Sequence, residues 1–534
     1  MKRTRQLAIG SLVLVPVLAG GFIFQERSSR EGVRLFDQVL GLVATRFVDT
    51  VDAGGLYERA ARGLVHELND PYTVLFTPKE LAGFQTSTGG RYGGVGMQIE
   101  EIKGWITVNK VFPNTPAEEA GIRDGDRIIQ IDTAVTRGWK TEQVSNVLKG
   151  TPGTKVGVKF QRPGVAEPIT VRFTRAVIHI PAVRFALMLD GNIGYIPVDQ
   201  FNETATEEVE AAVRRLQQQG AKGIVLDMRD NPGGILDQAI SMSNLFLKEG
   251  QEVASVRGRA GVAETHVARE RPAAPTIPLV VMTDGGSASA AEIVAGALQD
   301  HDRALVVGTT SFGKGLVQTL YPLDGGYALK MTTAKWFTPS GRSIQKERKI
   351  VDGRFIEDAA PDSMESDSVR KTRPVFKSDA GRTVYGGGGV TPDVIVKPDT
   401  ISASEQAVLK AIYAKLTDSY AVLADYALEL KPRVTSTGIT VQPAWREELY
   451  KRLTTAGVTI DRKQWDQSPA AVDRMLRDRL AKVAYGDSTV KRLSITAGED
   501  RQLDRAAELL RKATSQQDLF AQAARTQSTA SRKP

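Results

Sequence analysis

The sequence predicts an α/β layered core, preceded by a β-rich module and flanked by helical regions at both ends. Three observations carry this. Between residues 179 and about 400, apolar β-branched runs alternate with longer stretches of helical period. From Gly89 to about Arg175 the period is that of short strands and turns, while residues 30–88 and those beyond about 401 carry apolar residues at helical spacing. A chain of 534 residues is long enough to bury more than one core.

The first element, residues 1–29, reads as a signal peptide or membrane anchor. Lys2, Arg3 and Arg5 precede an uncharged stretch from Leu7 to Phe24, the pattern of an export segment. The stretch sits at the short end of the ~17–25 residues that span a bilayer. Ala19-Gly20-Gly21 would make only a poor cleavage site, so cleaved signal and retained anchor both stand, with the anchor preferred. In both cases the bulk of the chain is expected outside the cytoplasm, in the periplasm or on the extracytoplasmic face of the inner membrane.

Residues 30–88 follow as helices. Leu35, Val39, Leu40, Val43 and Phe47 recur at helical spacing, as do Leu56, Ala60, Leu64 and Leu68, until Asn69-Asp70-Pro71 breaks the pattern. In residues 89–178 strands are expected at Trp105–Val111, Arg127–Asp132 and Lys155–Gln161, with a helix at Thr141–Lys149. In residues 179–400, Ile193–Val198 leads to the helix Thr204–Gln218, and Gly223–Met228 leads to Leu236–Leu247. Leu279–Thr283 then leads to Ala290–Leu298, and Ala304–Val307 meets the loop GTTSFGKG. Residues 401–534 form a charged helical extension, with a polar tail from about Thr514 expected to be disordered.

Composition narrows the chemistry. Hydrophobic residues at 41% and charged residues at 25% are ordinary for a folded soluble protein. The net charge of +8 is spread along the chain among acidic residues, which reads as a mixed solvated surface rather than a nucleic-acid face. The absence of cysteine excludes disulfides, thiolate zinc sites and cysteine nucleophiles. No metal-ligand spacing is present, and no cofactor is implied.

Three stretches invite chemistry. Arg91 to Ile99 is a glycine-rich turn feeding a strand, where successive N–H groups can form a nest for a carboxylate or simply a tight turn. With the later strand Asp126–Asp132 and the helix from Thr141, it resembles a PDZ domain. That resemblance implies capture of a peptide C-terminus as an added strand, its carboxylate held by the loop Gly93, Gly94, Val95, Gly96 and Met97.

Asp284-Gly285-Gly286-Ser287-Ala288-Ser289-Ala290-Ala291-Glu292 follows an apolar strand and opens a helix. It can expose a serine hydroxyl at a helix N-terminus, or Ser289 and Glu292 can form only a capping box. A nucleophile needs a base, and His66, His179, His266 and His301 are poorly placed to supply one; His301 ends the helix that Ser289 begins, ~18 Å away by helical rise. Lys314 in GTTSFGKG is the remaining base. As a phosphate loop this segment fails twice. Gly315 stands where Ser or Thr would hold magnesium, and Leu316–Pro322 alternates like a strand instead of opening a helix. As a base, Lys314 lies among Phe312, Leu316 and Val317 with no acidic residue between Gly308 and Leu323. Such a setting suits the lowering of a lysine from ~10.4 toward ~7–8 that proton abstraction requires.

The runs GSASAAEIVAGALQD (286–300) and SFGKGLVQ (311–318) resemble the S41 carboxyl-terminal processing proteases. Further matches are Asp70-Pro71-Tyr72, Gly194-Tyr195-Ile196, Asp227 to Gly234, LKMTTAKWFTPSGRSIQ (329–345) and GVTPDVIV (389–396). The resemblance implies a ClpP/crotonase-like protease core with a mixed sheet and an inserted PDZ domain. It implies Ser289 as nucleophile, Lys314 as base 25 residues downstream, and Gln318 as the residue orienting the lysine amine. Oxyanion donors would be the N–H of Ala290 and one from Gly233 or Gly234. Ala291 departs from the serine common at that position, and the motifs say nothing of the extension beyond 401.

The function so implied is a serine endopeptidase that cleaves exported proteins near their C-termini. Its PDZ domain would bind apolar substrate C-termini and gate the site. The implied partners are such proteins, the membrane through the N-terminal segment, an adaptor or activator, and a second copy of the chain through the terminal helices. A PDZ scaffold with a relic core and a nucleotide binder are the competing readings. Intact Ser289, Lys314 and Gln318 speak against the first, and Gly315 against the second.

Overall fold

The computed structural model describes residues 31–102, 104–162, 165–259, 261, 263–346, 348–351, 354–357, 370 and 372–530. The export or anchor segment read at 1–29 lies outside these residues. Among the described residues no helix is long and apolar enough to cross a membrane. The chain divides into two compact units.

One unit comprises the chain up to Pro78 together with Gln318–Thr332 and residues near 354. It contains a helix over 31–46 and the helix Ala53–His66, whose N-terminus is capped by Asp52 accepting from Gly54 N–H and Gly55 N–H. Of the apolar stripe read in the first helix only Leu40 is buried. The break at Asn69-Asp70-Pro71 is a turn, with Asn69 at φ 51° and the Asp70 carboxylate accepting from Thr73 Oγ1 at 2.6 Å. The turn feeds the strand Val74–Phe76, which pairs antiparallel with residues 328–330.

The other unit comprises Lys79–Val317, Thr333–Val351 and Ile356–Pro534, and its buried residues form several separate clusters. In the β-rich module, strands Met97–Ile102, Trp105–Val111, Arg127–Ile131, Lys155–Gln161 and Ile169–Thr174 form one antiparallel sheet in that order. Helix Thr141–Leu148 closes its core through Val144 and Leu148. The strands and helix anticipated from period match within a residue or two.

The central sheet runs Leu187–Leu189, Ile193–Pro197, Gly223–Asp227, Leu279–Thr283, Leu305–Gly308 and Val394–Ile395. Its first pair is antiparallel and the others parallel. Alternation along the strands explains their unbroken apolar reading, because both faces are covered. Ile224, Leu226, Leu279 and Val281 face the helices Ala205–Gln218, Leu236–Asn244 and Ala290–Asp300. Val225, Val280, Met282, Leu305 and Val307 face Leu503, Ala506, Leu509, Leu510, Leu519 and Ala523.

Those last residues belong to helices Arg501–Lys512 and Gln516–Ala530. The stretch read as a disordered polar tail is thus a helix as far as Ala530, with Leu519 fully buried. Its composition is polar, but the sheet face supplies the apolar surface that a sparse stripe needs. The remainder of the extension, from Ala403 to Thr496, folds around its own core of Val408, Leu449, Trp465, Leu476 and Leu480. It docks on the outer face of the β-rich module: Ala421 and Ala424 pack on Ile102, and Arg479 meets Glu100 at 2.5 Å. Arg127–Asp425 at 3.3 Å and Lys110–Asp487 at 2.8 Å extend this contact.

Candidate active site

The strand Leu279–Thr283 ends in a turn built almost wholly by polar bonds. Asp284 Oδ1 accepts from the N–H groups of Asp230 and Gly286 at 2.9 Å, and Ser287 Oγ donates to Met228 O at 2.7 Å. Ser287 is therefore fully buried and structural. Two residues on, Ser289 sits at φ 54°, ψ −112°, immediately before helix Ala290–Asp300. A non-glycine residue in that region is strained, and strand-to-helix turns that project a nucleophile carry this strain.

The second wall is the loop Met228–Gly234. Ala288 N–H donates to Asn231 O at 2.9 Å, and Asn231 Nδ2 donates to Val198 O at 2.7 Å. Gly233 has φ +90°, and a β-carbon there would lie 2.9 Å from Ser289 Cβ and 2.8 Å from Ala290 N. Only glycine allows the loop so close to the serine turn. The Gly233 N–H is taken by Asn231 Oδ1 at 2.8 Å. Gly234 bridges Phe201 through its neighbours, as Phe201 N–H donates to Gly233 O and Ile235 N–H to Phe201 O. The N–H groups of Gly234 and Ala290 have no hydrogen-bond partner among the described residues. Of the two glycines left open by sequence, Gly234 is the free donor.

The third wall is the lysine loop, and Glu292 ties it to the first. Glu292 is fully buried and accepts four hydrogen bonds, two on each oxygen. Oε2 takes Ser289 N–H at 2.8 Å and Lys314 N–H at 2.9 Å; Oε1 takes Gly313 N–H and Ser311 O–H, both at 2.6 Å. Burial pushes its carboxyl up from the ordinary value, and the bonds from Ser311, Lys314, Gly313 and Ser289 pull against that shift without cancelling it. Trp336 Nε1 donates to Lys314 O at 3.1 Å, and Gly315 N–H donates to Gln345 Oε1 at 2.8 Å.

Sequence reasoning had Glu292 only as a capping acid for the serine helix; the SxxE spacing was visible, but the two bonds into residues 313 and 314 were not. Ser289, Ala290, Gly233, Gly234 and the Lys314 backbone thus share one site. Gln318 belongs to the other compact unit, where its amide lies 3.5 Å from Thr332 Oγ1. Two histidines of the second unit are occupied elsewhere: His179 with Glu208 at 2.9 Å, and His301 with Asp379 and Glu252 O, both at 2.7 Å.

In the β-rich module, Gly93 and Gly94 lie in a strand paired with Val177 and Ala176. Val95 and Met97 are buried, and Gly96 at φ +88° approaches Thr115 too closely for any side chain. Strand Met97–Ile102 has one partner strand among the described residues and forms the edge of its sheet.

Fold and site together define a serine peptidase carrying a PDZ domain. Residues 192–353 match peptidase family S41, and residues 107–162 match the PDZ domain. The chain belongs to peptidase family S41, within its carboxy-terminal processing proteases. It is 38% identical over 325 residues to the carboxy-terminal-processing protease of Bartonella bacilliformis, a match covering 60% of this chain and 74% of that one. It is 34% identical over 342 residues to the carboxy-terminal processing protease CtpA of Bacillus subtilis, covering 64% and 73%. Against the carboxyl-terminal-processing protease of Synechocystis it is 37% identical over 294 residues, covering 54% and 68%.

Proposed function

We propose that this peptidase works through a Ser289–Lys314 dyad on exported proteins whose C-termini its PDZ domain captures. The observation that carries the reading is Glu292, whose one oxygen accepts from both Ser289 N–H and Lys314 N–H at 2.8 and 2.9 Å. In the reaction, Lys314 Nζ takes the Ser289 hydroxyl proton as Oγ bonds to the scissile carbonyl carbon. The N–H groups of Ala290 and Gly234 receive the developing oxyanion, each such donor being worth ~3–4 kcal/mol. The C–N bond then breaks, and Lys314 delivers its proton to the leaving amine. Water attacks the acyl ester, giving its proton to Lys314; the bond from the acyl carbon to Ser289 Oγ then breaks, and Lys314 returns the proton to Oγ. Gln318 orients the lysine amine by analogy with the family. A fluorophosphonate probe is expected to label the wild type and not Ser289→Ala, read by intact mass; labelling of Ser289→Ala would overturn the nucleophile.

The substrate C-terminus adds beside the edge strand Met97–Ile102, its carboxylate at the Gly93–Met97 loop, and its docking gates cleavage. Amidating the terminal carboxylate of a peptide with an apolar end is expected to lower kcat/KM about tenfold, the scale of one lost charge-assisted contact. Equal turnover of acid and amide would reject carboxylate capture. The N-terminal segment tethers or exports the chain, so its substrates are met in the periplasm or at the extracytoplasmic face of the inner membrane. An adaptor and a homo-oligomer accompany this reading by analogy alone.

A further inference from the structure

Arg229 stands in the run Asp227–Gly234 and has no part in the chemistry above. Its side chain is 17% exposed, and its guanidinium spends all five N–H donors. Nε and Nη2 grip Asp227 at 2.9 and 2.7 Å, and Nη1 and Nη2 grip Asp500 at 2.9 and 2.8 Å. Nη1 also donates to Gln502 Oε1 at 2.9 Å. Asp227 ends a central strand, whereas Asp500 and Gln502 begin helix Arg501–Lys512 of the C-terminal extension.

The surrounding bonds complete a closed cluster. Tyr195 O–H donates to Asp227 at 2.8 Å, Lys491 Nζ donates to Asp500 at 2.6 Å, and Gln502 Nε2 donates to Val396 O at 2.8 Å. Asp500 also caps its own helix through Leu503 N–H at 3.0 Å. Two cations face two carboxylates. Burial opposes ionisation of Asp500, but the bonds and charge of Arg229, with Lys491, outweigh it and hold that carboxyl well below the usual range.

The helix also buries an apolar stripe of Leu503, Ala506, Leu509 and Leu510 on the sheet. Buried ion pairs roughly break even in stability against apolar contacts. What two bidentate forks add is a fixed orientation for Arg229 and its backbone. Two residues on, Asn231 holds Gly233 N–H and the serine turn through Ala288.

We infer that Asp500, seconded by Gln502, is a positioning residue for catalysis: through Arg229 the C-terminal extension holds the Met228–Gly234 loop where Gly234 N–H can meet the oxyanion. The inference rests on Ala290 and Gly234 being the oxyanion donors. It makes the extension part of the catalytic unit.

The test is Asp500→Asn in the full chain, since asparagine still caps the helix but loses the charged fork. The kcat is expected to fall about 10- to 100-fold, as for a misplaced catalytic group, with KM within about threefold. Affinity for a peptidyl boronate, which becomes tetrahedral on the serine, should fall in parallel. Peptide affinity measured in the Ser289→Ala background should hold. Leu519→Ala, in the same buried layer, should lower Tm and keep the wild-type kcat below its melt. Gln502→Leu should move kcat in the same direction by less, and it carries the test if Asp500→Asn does not fold.

Wild-type kcat in Asp500→Asn, an equal kcat loss in Leu519→Ala, or boronate affinity unchanged beside a lowered kcat would each overturn the inference. Boronate binding equally well to Ser289→Ala would instead show that the serine assignment beneath it had failed.

Discussion

Lys314→Ala is expected to lower kcat/KM by about 10⁴-fold while leaving the fold intact, because the two roles of this residue are carried by different atoms. Its backbone is structural. The N–H is held by Glu292 and the carbonyl by Trp336 Nε1, and the flanking Gly313 and Gly315 N–H groups have their own acceptors in Glu292 and Gln345. Truncating the side chain removes none of these bonds, so stability should change by no more than about 1 kcal/mol. In the proposed dyad the amine is the base. A base that serves both the attack and the departure of the amine contributes up to about 10⁴-fold. Lys314→Met, which keeps the length of the side chain, should lose as much as alanine does, separating proton transfer from packing. Steady-state turnover of a peptide with an apolar C-terminus, alongside thermal melts, reads both quantities. Wild-type turnover in either variant would mean that another group accepts the serine proton, and the bonding of His179 and His301 leaves neither poised to do so.

Most of the fold was legible because its strongest signals are local. Strands buried on both faces, such as Leu279–Thr283 and Leu305–Gly308, must be apolar throughout, and helices packed on them must carry a stripe of period 3.6. The serine turn and the lysine loop were legible for a similar reason, since each is a short segment with unusual backbone demands. What stayed hidden depends on partners far apart in sequence. Asp500 is an ordinary helix cap when read locally, and nothing near it announces a bond to Arg229, 271 residues earlier. Ala421 and Ala424 look like filler until Ile102 is set against them. Leu519 and Ala523 are too sparse to mark a core helix without the sheet face that covers them. Gly233 N–H, unlike Gly234 N–H, is taken by the side chain of Asn231, whose direction no pattern encodes.

Glu292→Gln should cost about 10²- to 10³-fold in kcat although glutamine matches glutamate in shape. The carboxylate accepts two hydrogen bonds on each oxygen, and all four partners are donors. An amide offers one acceptor oxygen and one NH₂, so at least one of the three backbone N–H donors, and both Ser289 and Lys314 N–H if the NH₂ turns to them, would face another donor. Placing the NH₂ toward Ser311 and Gly313 loosens the loop leading into Lys314, and placing it toward Ser289 and Lys314 parts the serine turn from the lysine backbone. Either choice separates the two groups of the proposed dyad, and an error near 1 Å costs on the order of 10²-fold. The unsatisfied donors should also lower stability by about 1–3 kcal/mol, which a denaturant titration would read. The discriminating measurement is fluorophosphonate labelling of Ser289 against pH. If Glu292 only capped its helix, the labelling rate would survive the change and only the melt would move. If it joins serine to lysine, labelling should slow at every pH by a factor close to the loss in kcat. Glu292→Asp should not recover it, since the shorter chain cannot reach both loops at once.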